Sequence, residues 1–464
     1  MLALVFALFQ TAEPAPKPVR PPNIVHVLAD DVAWDDFSCY GSRDLVTPNV
    51  DRVASEGLRF TDFYAPAATC TPSRAAILTG CYAQRVGLTQ VLFPNSEVGL
   101  AESEVTIAEL LKGRGYATAL VGKWHLGHHP QFLPTRHGFD LFFGIPYPND
   151  HGPERLTAKE PRVSRGFPAI PLLRGESVVE QPAQLASLPE RFVAEARTFI
   201  AEHKDTPFYL QLSNIETHTP WLVPQRFQYK SQAGVYGDAV LCLDWAVGEL
   251  LDELAKQGLD GDTLVVVSAD NGPLVHRYPE LEGIYGHAAT VDPERRHWLR
   301  EGKYQARYEG GTRVACVARW PGHIAPGGVN SELVAGFDLY TTFARLAGAE
   351  IPADRIVDGH DLSPLLLGKP EEFNPREVLF HYENRELVAV RSGNWKLVLP
   401  AKADGRPELY DLDEDPSETT DQFEEHEDFV ERLLELCELA RADLGDSAKG
   451  REGANCRAPG KLAK

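Results

Sequence analysis

Asn23-Ile24-Val25-His26-Val27-Leu28-Ala29-Asp30-Asp31 is a short apolar run that stops abruptly on two carboxylates. Far along the chain the same figure returns as Thr263-Leu264-Val265-Val266-Val267-Ser268-Ala269-Asp270-Asn271-Gly272. Continuous Val, Ile and Leu without polar alternation mark strands buried on both faces of a parallel sheet. In open α/β sheets ligands bind beyond the carboxyl ends of the strands, so two strands ending in Asp can bring their carboxylates to one rim. Asp30, Asp31, Asp270 and Asn271 offer only oxygen donors, three anionic and one neutral. That set suits a hard cation, Ca²⁺ or Mg²⁺, better than zinc. Either pair alone reads equally as a helix cap or a turn; the repetition after two matching strands favours a metal site.

Outward from these strands, helical patterns fall at Ser103–Arg114, Arg191–His203 and Ala239–Gln257. From about Val378 the texture changes to short, turn-separated apolar runs such as Leu387-Val388-Ala389-Val390 and Trp395-Lys396-Leu397-Val398-Leu399, followed by a helix at Asp428–Ala442. The expected organisation is an α/β unit over 23–370, a smaller antiparallel domain over 371–446, and a Gly-rich, basic, disordered tail over 447–464. Residues 1–12, MLALVFALFQTA, read as a secretory signal followed by a Pro-rich linker over 13–22, which implies a secreted or periplasmic protein. No later segment is apolar enough to span a membrane.

The chain has 464 residues, with 46 basic residues against 67 acidic ones and a net charge of −21. Such a surface excludes nucleic acid and anionic membranes as partners. Seven cysteines are too few for a disulfide scaffold and odd in number, so at least one is left over. Cys70 is the obvious candidate. It opens Cys70-Thr71-Pro72-Ser73-Arg74-Ala75-Ala76-Ile77-Leu78-Thr79-Gly80, where a helix start and a nearby cation could activate a thiol, or where a small core cysteine could sit.

That stretch closely resembles the signature of the type I sulfatases. Gly115-Tyr116-Ala117-Thr118-Ala119-Leu120-Val121-Gly122-Lys123-Trp124-His125-Leu126-Gly127 resembles the family's second signature. The resemblance runs from Asn23 to about Gly445. It is nearest the arylsulfatase A / N-acetylgalactosamine-sulfatase branch through Gly144-Ile145-Pro146-Tyr147, Tyr308-Glu309-Gly310-Gly311-Thr312-Arg313 and Asp361-Leu362-Ser363-Pro364-Leu365-Leu366-Leu367-Gly368. It implies an alkaline-phosphatase-like sandwich, with a large mixed, mostly parallel sheet between helices and a C-terminal antiparallel sheet with a helix. It further implies that a maturation enzyme oxidises Cys70 to formylglycine, reading Pro72 and Arg74 as part of its tag.

By the same resemblance, one hydroxyl of the hydrated aldehyde attacks sulfur and the other lets sulfate leave. Asp30, Asp31, Asp270, Asn271 and residue 70 would hold one Ca²⁺ or Mg²⁺. Arg74 would hold the formylglycine hydroxyl, Lys123 and Lys303 the sulfate, His125 would act as base and His218 as acid. The substrate would be a sulfated sugar, with aryl sulfates as surrogates. In the family the second lysine stands four residues before the aromatic of the Glu-Gly-Gly segment; Tyr304 occupies that place here, and Lys303 lies one further away. A sulfate-binding serine of the arylsulfatase A branch is replaced by Pro148, leaving Asn149 or Asp150 as substitutes. His381 reads as a plain strand histidine, or alternatively as a neighbour of the leaving group. Arg155, Arg162, Arg165 and Arg277 lie on loops expected to shape the substrate pocket.

Two rival functions remain at this point. One is a formylglycine-dependent phosphonate or phosphate ester hydrolase; the two-zinc phosphatases of the superfamily are disfavoured because Asp270 is followed by neutral Asn271-Gly272 rather than histidine. The other is a non-catalytic sulfated-glycan binding protein with Cys70 unmodified.

Overall fold

The computed structural model describes residues 20–155, 163–164, 166–274, 298–402 and 404–462. The expected signal at 1–12 and Arg162, Arg165 and Arg277 lie outside the described residues, as does the side chain of Arg155. Ten strands form the main sheet: β1 (Asn23–Ala29), β2 (Leu58–Phe60), β3 (Ala117–Lys123), β4 (Leu141–Ile145), β5 (Leu172–Arg174), β6 (Ser177–Glu180), β7 (Phe208–Ser213), β8 (Thr263–Ala269), β9 (Cys316–Arg319) and β10 (Gly328–Asn330). Their order across the sheet is β6-β5-β4-β3-β7-β1-β8-β9-β2-β10. The five central strands β4, β3, β7, β1 and β8 are mutually parallel. Antiparallel neighbours flank them on both sides, through β5 and β9. All seven residues of β1 and of β8 are buried, as their unbroken apolar character predicts.

The helices of seven or more residues are α1 (Pro48–Ser55), α2 (Cys70–Thr79), α3 (Ile107–Gly113), α4 (Leu188–Glu202), α5 (Gly234–Lys256), α6 (Asp338–Leu346) and α7 (Glu427–Asp443). Phe192 of α4 meets Phe143 of β4, while Phe343 of α6 meets Tyr209 of β7. The pairings Val121↔Phe143 and Leu212↔Val121 place Phe143 level with Leu212, three residues from Tyr209 and hence on the opposite face. Helices α1, α4 and α5 therefore cover one side of the sheet and α2, α3 and α6 the other. Helix α3 begins later than the acidic residues suggest, because Thr106 and Glu109 form a capping box that fixes its first turn.

A second sheet follows, antiparallel throughout: β11 (Leu379–Glu383), β12 (Glu386–Ser392), β13 (Trp395–Val398) and β14 (Glu408–Asp411). Val430, Leu433, Cys437 and Ala440 of α7 cover Leu387, Val390 and Leu397, in a cluster that also takes in Tyr64, Ala76, Tyr82 and Phe337 of the body. The joint is ionic as well. Lys396 is 0% exposed and lies 2.9 Å from Glu309 and 2.8 Å from Glu418.

The tail departs from the expectation of disorder. Gly460–Lys461 pairs with Val98–Gly99, and Arg457 places its guanidinium 2.7 and 2.9 Å from the oxygens of Glu104. Glu104 is buried and needs a cation; among the described residues Arg355 reaches it at 3.8 Å and the tail's Arg457 comes closer. All seven cysteines are free thiols.

Candidate active site

The register Ala29↔Ala269 carries β1 and β8 out of the sheet level with each other, so Asp30 and Asp270 emerge side by side. Asp31 takes a left-handed turn at φ 57, a conformation aspartate tolerates, and its amide donates to Asp270 Oδ1 at 3.3 Å. Strand β3 ends on Lys123 beside these, and β7 leads into the loop that carries His218. Each of these groups thus stands at the carboxyl end of a central parallel strand.

Helix α2 supplies Cys70 and Arg74. Pro72 is tolerated in its first turn and Gly80, at φ 69, ends it. Cys70 and Arg74 are one turn apart and so share a face. The thiol lies 3.5 Å from Asp30 Oδ1, and Arg74 Nε donates to Asp270 Oδ2 at 2.8 Å. Lys123 Nζ sits 2.6 Å from Asp30 Oδ2, Lys303 Nζ 2.7 Å from Asp31 Oδ2, and His218 Nε2 3.7 Å from the same oxygen. Asn271 Nδ2 donates to Asp31 Oδ1 at 2.7 Å. Every residue singled out from the sequence as catalytic or metal-ligating is therefore joined in one buried constellation, except that His125 attaches through the backbone: its carbonyl accepts from Thr71 Oγ1, next to Cys70.

Three carboxylates, Asp30, Asp31 and Asp270, face three fixed cations, Arg74, Lys123 and Lys303, all at most 2% exposed. Buried charge of either sign would be untenable without the other. Burial opposes ionisation of Asp30, yet Lys123, His218 and Arg74 hold its carboxyl well below the usual range. Burial and the neighbouring Asp30 push Asp270 up to about 6. Burial raises the Cys70 thiol far above its ordinary value despite Lys123 and Lys303. A helix N-terminus would favour a thiolate, but here desolvation wins, and Cys70 is no activated thiol. His125 is held neutral by burial and by Lys123, its Nε2 2.9 Å from the carbonyl of Leu92. That contact makes Nε2 the protonated nitrogen and leaves Nδ1 a buried lone pair without a hydrogen-bond partner.

The donor set fits a hard divalent cation. Ligand atoms of Asp30, Asp31, Cys70 and His218 lie within 4.8 Å of one another, and Asn271 Oδ1 is buried with no hydrogen-bond partner. Asp270 borders this group, one oxygen engaged by Arg74 and the other by the amide of Asp31.

Lys303, not Tyr304, turns inward, so the extra residue before the Glu-Gly-Gly segment does not displace the lysine. Asn149 does not replace the missing serine: its amide group donates to the carbonyls of His218 and Pro220 and so braces the His218 loop. His381 is no neighbour of a leaving group. It is 3% exposed, contacts Thr312 Oγ1 and the edge of Tyr64, and belongs to the joint between the sheets. His151 escaped the sequence reading. It is buried, with its ring 5.7 Å from that of His125; its only signal was its place just beyond β4, the next parallel strand after β3.

A family model described as Sulfatase matches residues 22–349, and one described as N-sulphoglucosamine sulphohydrolase, C-terminal, matches 302–440. The chain is similar to arylsulfatase A of Homo sapiens, 43% identical over 436 residues that span 86% of this chain and 83% of that protein. It is 32% identical over 488 residues to an N-acetylgalactosamine-6-O-sulfatase of Bacteroides thetaiotaomicron, covering 90% of this chain and 93% of that one. Among solved structures, a sulfatase described with the metabolism of multiple glycosaminoglycans by Bacteroides thetaiotaomicron superposes with a TM-score of 0.77 at 30% identity, over 90% of this chain and 99% of that chain. Among the described residues no helix is long and apolar enough to cross a membrane.

Proposed function

The chain belongs to the sulfatase family, whose members hydrolyse sulfate esters, and from that premise we propose that it works through a formylglycine made from Cys70, beside one Ca²⁺ or Mg²⁺, on a sulfated sugar. The observation that carries this reading is the setting of Cys70: 1% exposed, 3.5 Å from Asp30, which Lys123 and Arg74 also face at 2.6 and 3.5 Å. As a thiol it is inert there. As a hydrated aldehyde it supplies two hydroxyls, one to attack sulfur and one to release sulfate afterwards, and a maturation enzyme acting on Cys70 would have to make it.

Asp30, Asp31, Asp270 and Asn271 would hold the cation, which supplies positive charge against the sulfate oxygens and the attacking hydroxyl. The residues around it divide the remaining work. Arg74, anchored on Asp270 and on the Lys123 carbonyl at 3.0 Å, orients the hydroxyl of residue 70. Lys123 and Lys303 flank the sulfate and are preorganised against the charge that grows on its oxygens. His125, with Nδ1 as its free lone pair, takes the proton from the second hydroxyl. His218 protonates the leaving oxygen. Burial, Lys303 and Lys123 lower its pKa to about 3, and the negative sulfate entering between the lysines would oppose their share of that effect. A sulfated sugar is supported by the relative named for N-acetylgalactosamine 6-O-sulfate.

The test is the mass of the tryptic peptide Phe60–Arg74 from protein made in a host that matures sulfatases, read beside sulfatase activity. The expected result is the aldehyde or its hydrate, with Cys70→Ser lowering activity by a factor on the order of 10³ or more. Intact cysteine with undiminished hydrolysis of sulfate esters would sink the mechanism. Faster turnover of phosphate or phosphonate esters than of sulfate esters would move the chain to the rival hydrolase, and tight sulfate binding without turnover to the binding protein.

A further inference from the structure

Two aromatic rings stand exposed immediately beside groups of the buried constellation. Tyr304 follows Lys303. The lysine is 2% exposed and directed at Asp31; the tyrosine is 52% exposed, with its ring centre 5.6 Å from Lys303 Nζ. The reversal between consecutive residues is produced by the backbone. Tyr304 has φ 75, its amide donates to the Ala68 carbonyl at 2.8 Å, and Gln305 closes a turn onto Gly302 at 3.0 Å. A bulky residue held in the left-handed region is strained, and such strain concentrates at ligand-binding positions. Here it absorbs the extra residue of this chain and turns the tyrosine ring outward.

Phe93 is the counterpart. Its neighbour Leu92 is tied to the site from both ends: the amide donates to Thr71 Oγ1 at 3.2 Å, and the carbonyl lies 2.9 Å from His125 Nε2. That leaves Phe93 41% exposed and stacked on His151, ring centres 4.8 Å apart. His151 in turn lies 3.7 Å from Asp150. Phe93 and Tyr304 thus each stand beside a group of the sulfate site, Phe93 next to the residue that holds His125 and Tyr304 next to Lys303.

We propose that Tyr304 and Phe93 are the walls of the leaving-group subsite, and that the leaving group is a sugar ring whose flat C–H face packs on Tyr304 while its sulfate lies on Lys303. This rests on the sulfatase reading of the site. A flat ring matches exposed aromatic faces, whereas an extended, flexible alcohol would cover neither.

The test measures kcat and KM for N-acetylgalactosamine 6-sulfate and 4-nitrophenyl sulfate, and the inhibition constant of inorganic sulfate, in the full chain with its residue 70 verified as the aldehyde. Tyr304→Asn removes the ring while tolerating the positive φ; Tyr304→Phe keeps the ring. Tyr304→Asn and Phe93→Ala are each expected to raise KM for the sugar ester about five- to tenfold, with a smaller change in kcat and in sulfate inhibition. Tyr304→Phe should recover most of that KM. An unchanged KM in Tyr304→Asn overturns the proposal while leaving the sulfatase reading intact. So does an equal rise in KM and in the sulfate inhibition constant, which would make Tyr304 merely a support for Lys303. An effect confined to the aryl ester overturns the sugar assignment, and wild-type protein that hydrolyses neither ester overturns this and the parent reading together.

Discussion

Lys303 illustrates how one side chain can carry two duties. Without substrate its ammonium neutralises Asp31 at 2.7 Å; burial opposes that charge, but Asp31 and its anionic neighbours outweigh burial and raise the affinity for a proton well above that of a free lysine. With substrate the same charge is already in place for the sulfate, so no reorganisation accompanies reaction. Lys303→Ala is expected to lower kcat about 100-fold and to weaken inhibition by inorganic sulfate; steady-state kinetics on 4-nitrophenyl sulfate would show it, and an unaltered sulfate inhibition constant would remove Lys303 from the sulfate pocket. The identity of this residue was legible as a lysine near the Glu-Gly-Gly segment, but its direction was not. Direction depends on the backbone at Tyr304, which no residue preference announces.

Strand ends place the site, and one glycine sets how closely they approach. Gly122 precedes Lys123 at the end of β3, at φ +110; a Cβ there would lie 2.0 Å from the carbonyl oxygen of Ser213 on β7. Gly144 on β4 is equally tight against the carbonyl of Gly122, at 1.8 Å. Any side chain at 122 must push β3 away from β7, and Lys123 and His125 move with it. Gly122→Ala is therefore expected to cost about 1–3 kcal/mol from the backbone alone and to lower kcat/KM at least about tenfold through misplaced Lys123 and His125. Denaturant unfolding and kinetics read the two effects separately; full activity in this variant would show that the strand ends tolerate displacement. Element type was predictable here from apolar periodicity. Helix boundaries were less so, because the start of α3 is set by side-chain to backbone bonds at Thr106 and Glu109 rather than by its acidic flank.

For the molecule as a whole, the C-terminal sheet is locked to the body by charge as well as by apolar packing. Glu309 and Glu418 share the ammonium of Lys396. Burial opposes both charges; Lys396 and Arg313 keep Glu309 ionised, while burial and the nearby Glu309 push Glu418 up to about 7. A carboxyl with a folded pKa above its unfolded value stabilises the fold below the unfolded pKa, and the contribution fades as pH rises through the folded one. Wild-type protein should thus lose stability relative to Glu418→Gln between pH of about 4.5 and 7. Thermal unfolding of the two proteins across that range would reveal parallel curves if Glu418 were ionised throughout. None of this joint was visible in the chain, since Lys396 and Glu309 are separated by 87 residues.

What the amino-acid order determined by itself is whatever has a local physical cause. Unbroken Val and Ile runs have one stable solution, a strand buried on both faces; Cys70 to Arg74 is a helix start with its two reactive groups one turn apart; Asp30-Asp31 and Asp270-Asn271 must follow their strands out of the sheet. These were enough to specify the parallel core and the carboxylate rim; Lys123, His125, His218 and Lys303 joined the constellation only through the resemblance to the sulfatases. Tertiary structure decided everything that depends on neutralising a buried charge with a distant partner: Asp30 with Lys123, Asp31 with Lys303, Asp270 with Arg74, Lys396 with Glu309, and Arg457 with Glu104. The tail from Ser447 is the plainest case. Its composition favours disorder, yet up to residue 462 it is held by strand pairing with Val98–Gly99 and by the ion pair of Arg457 with the buried Glu104.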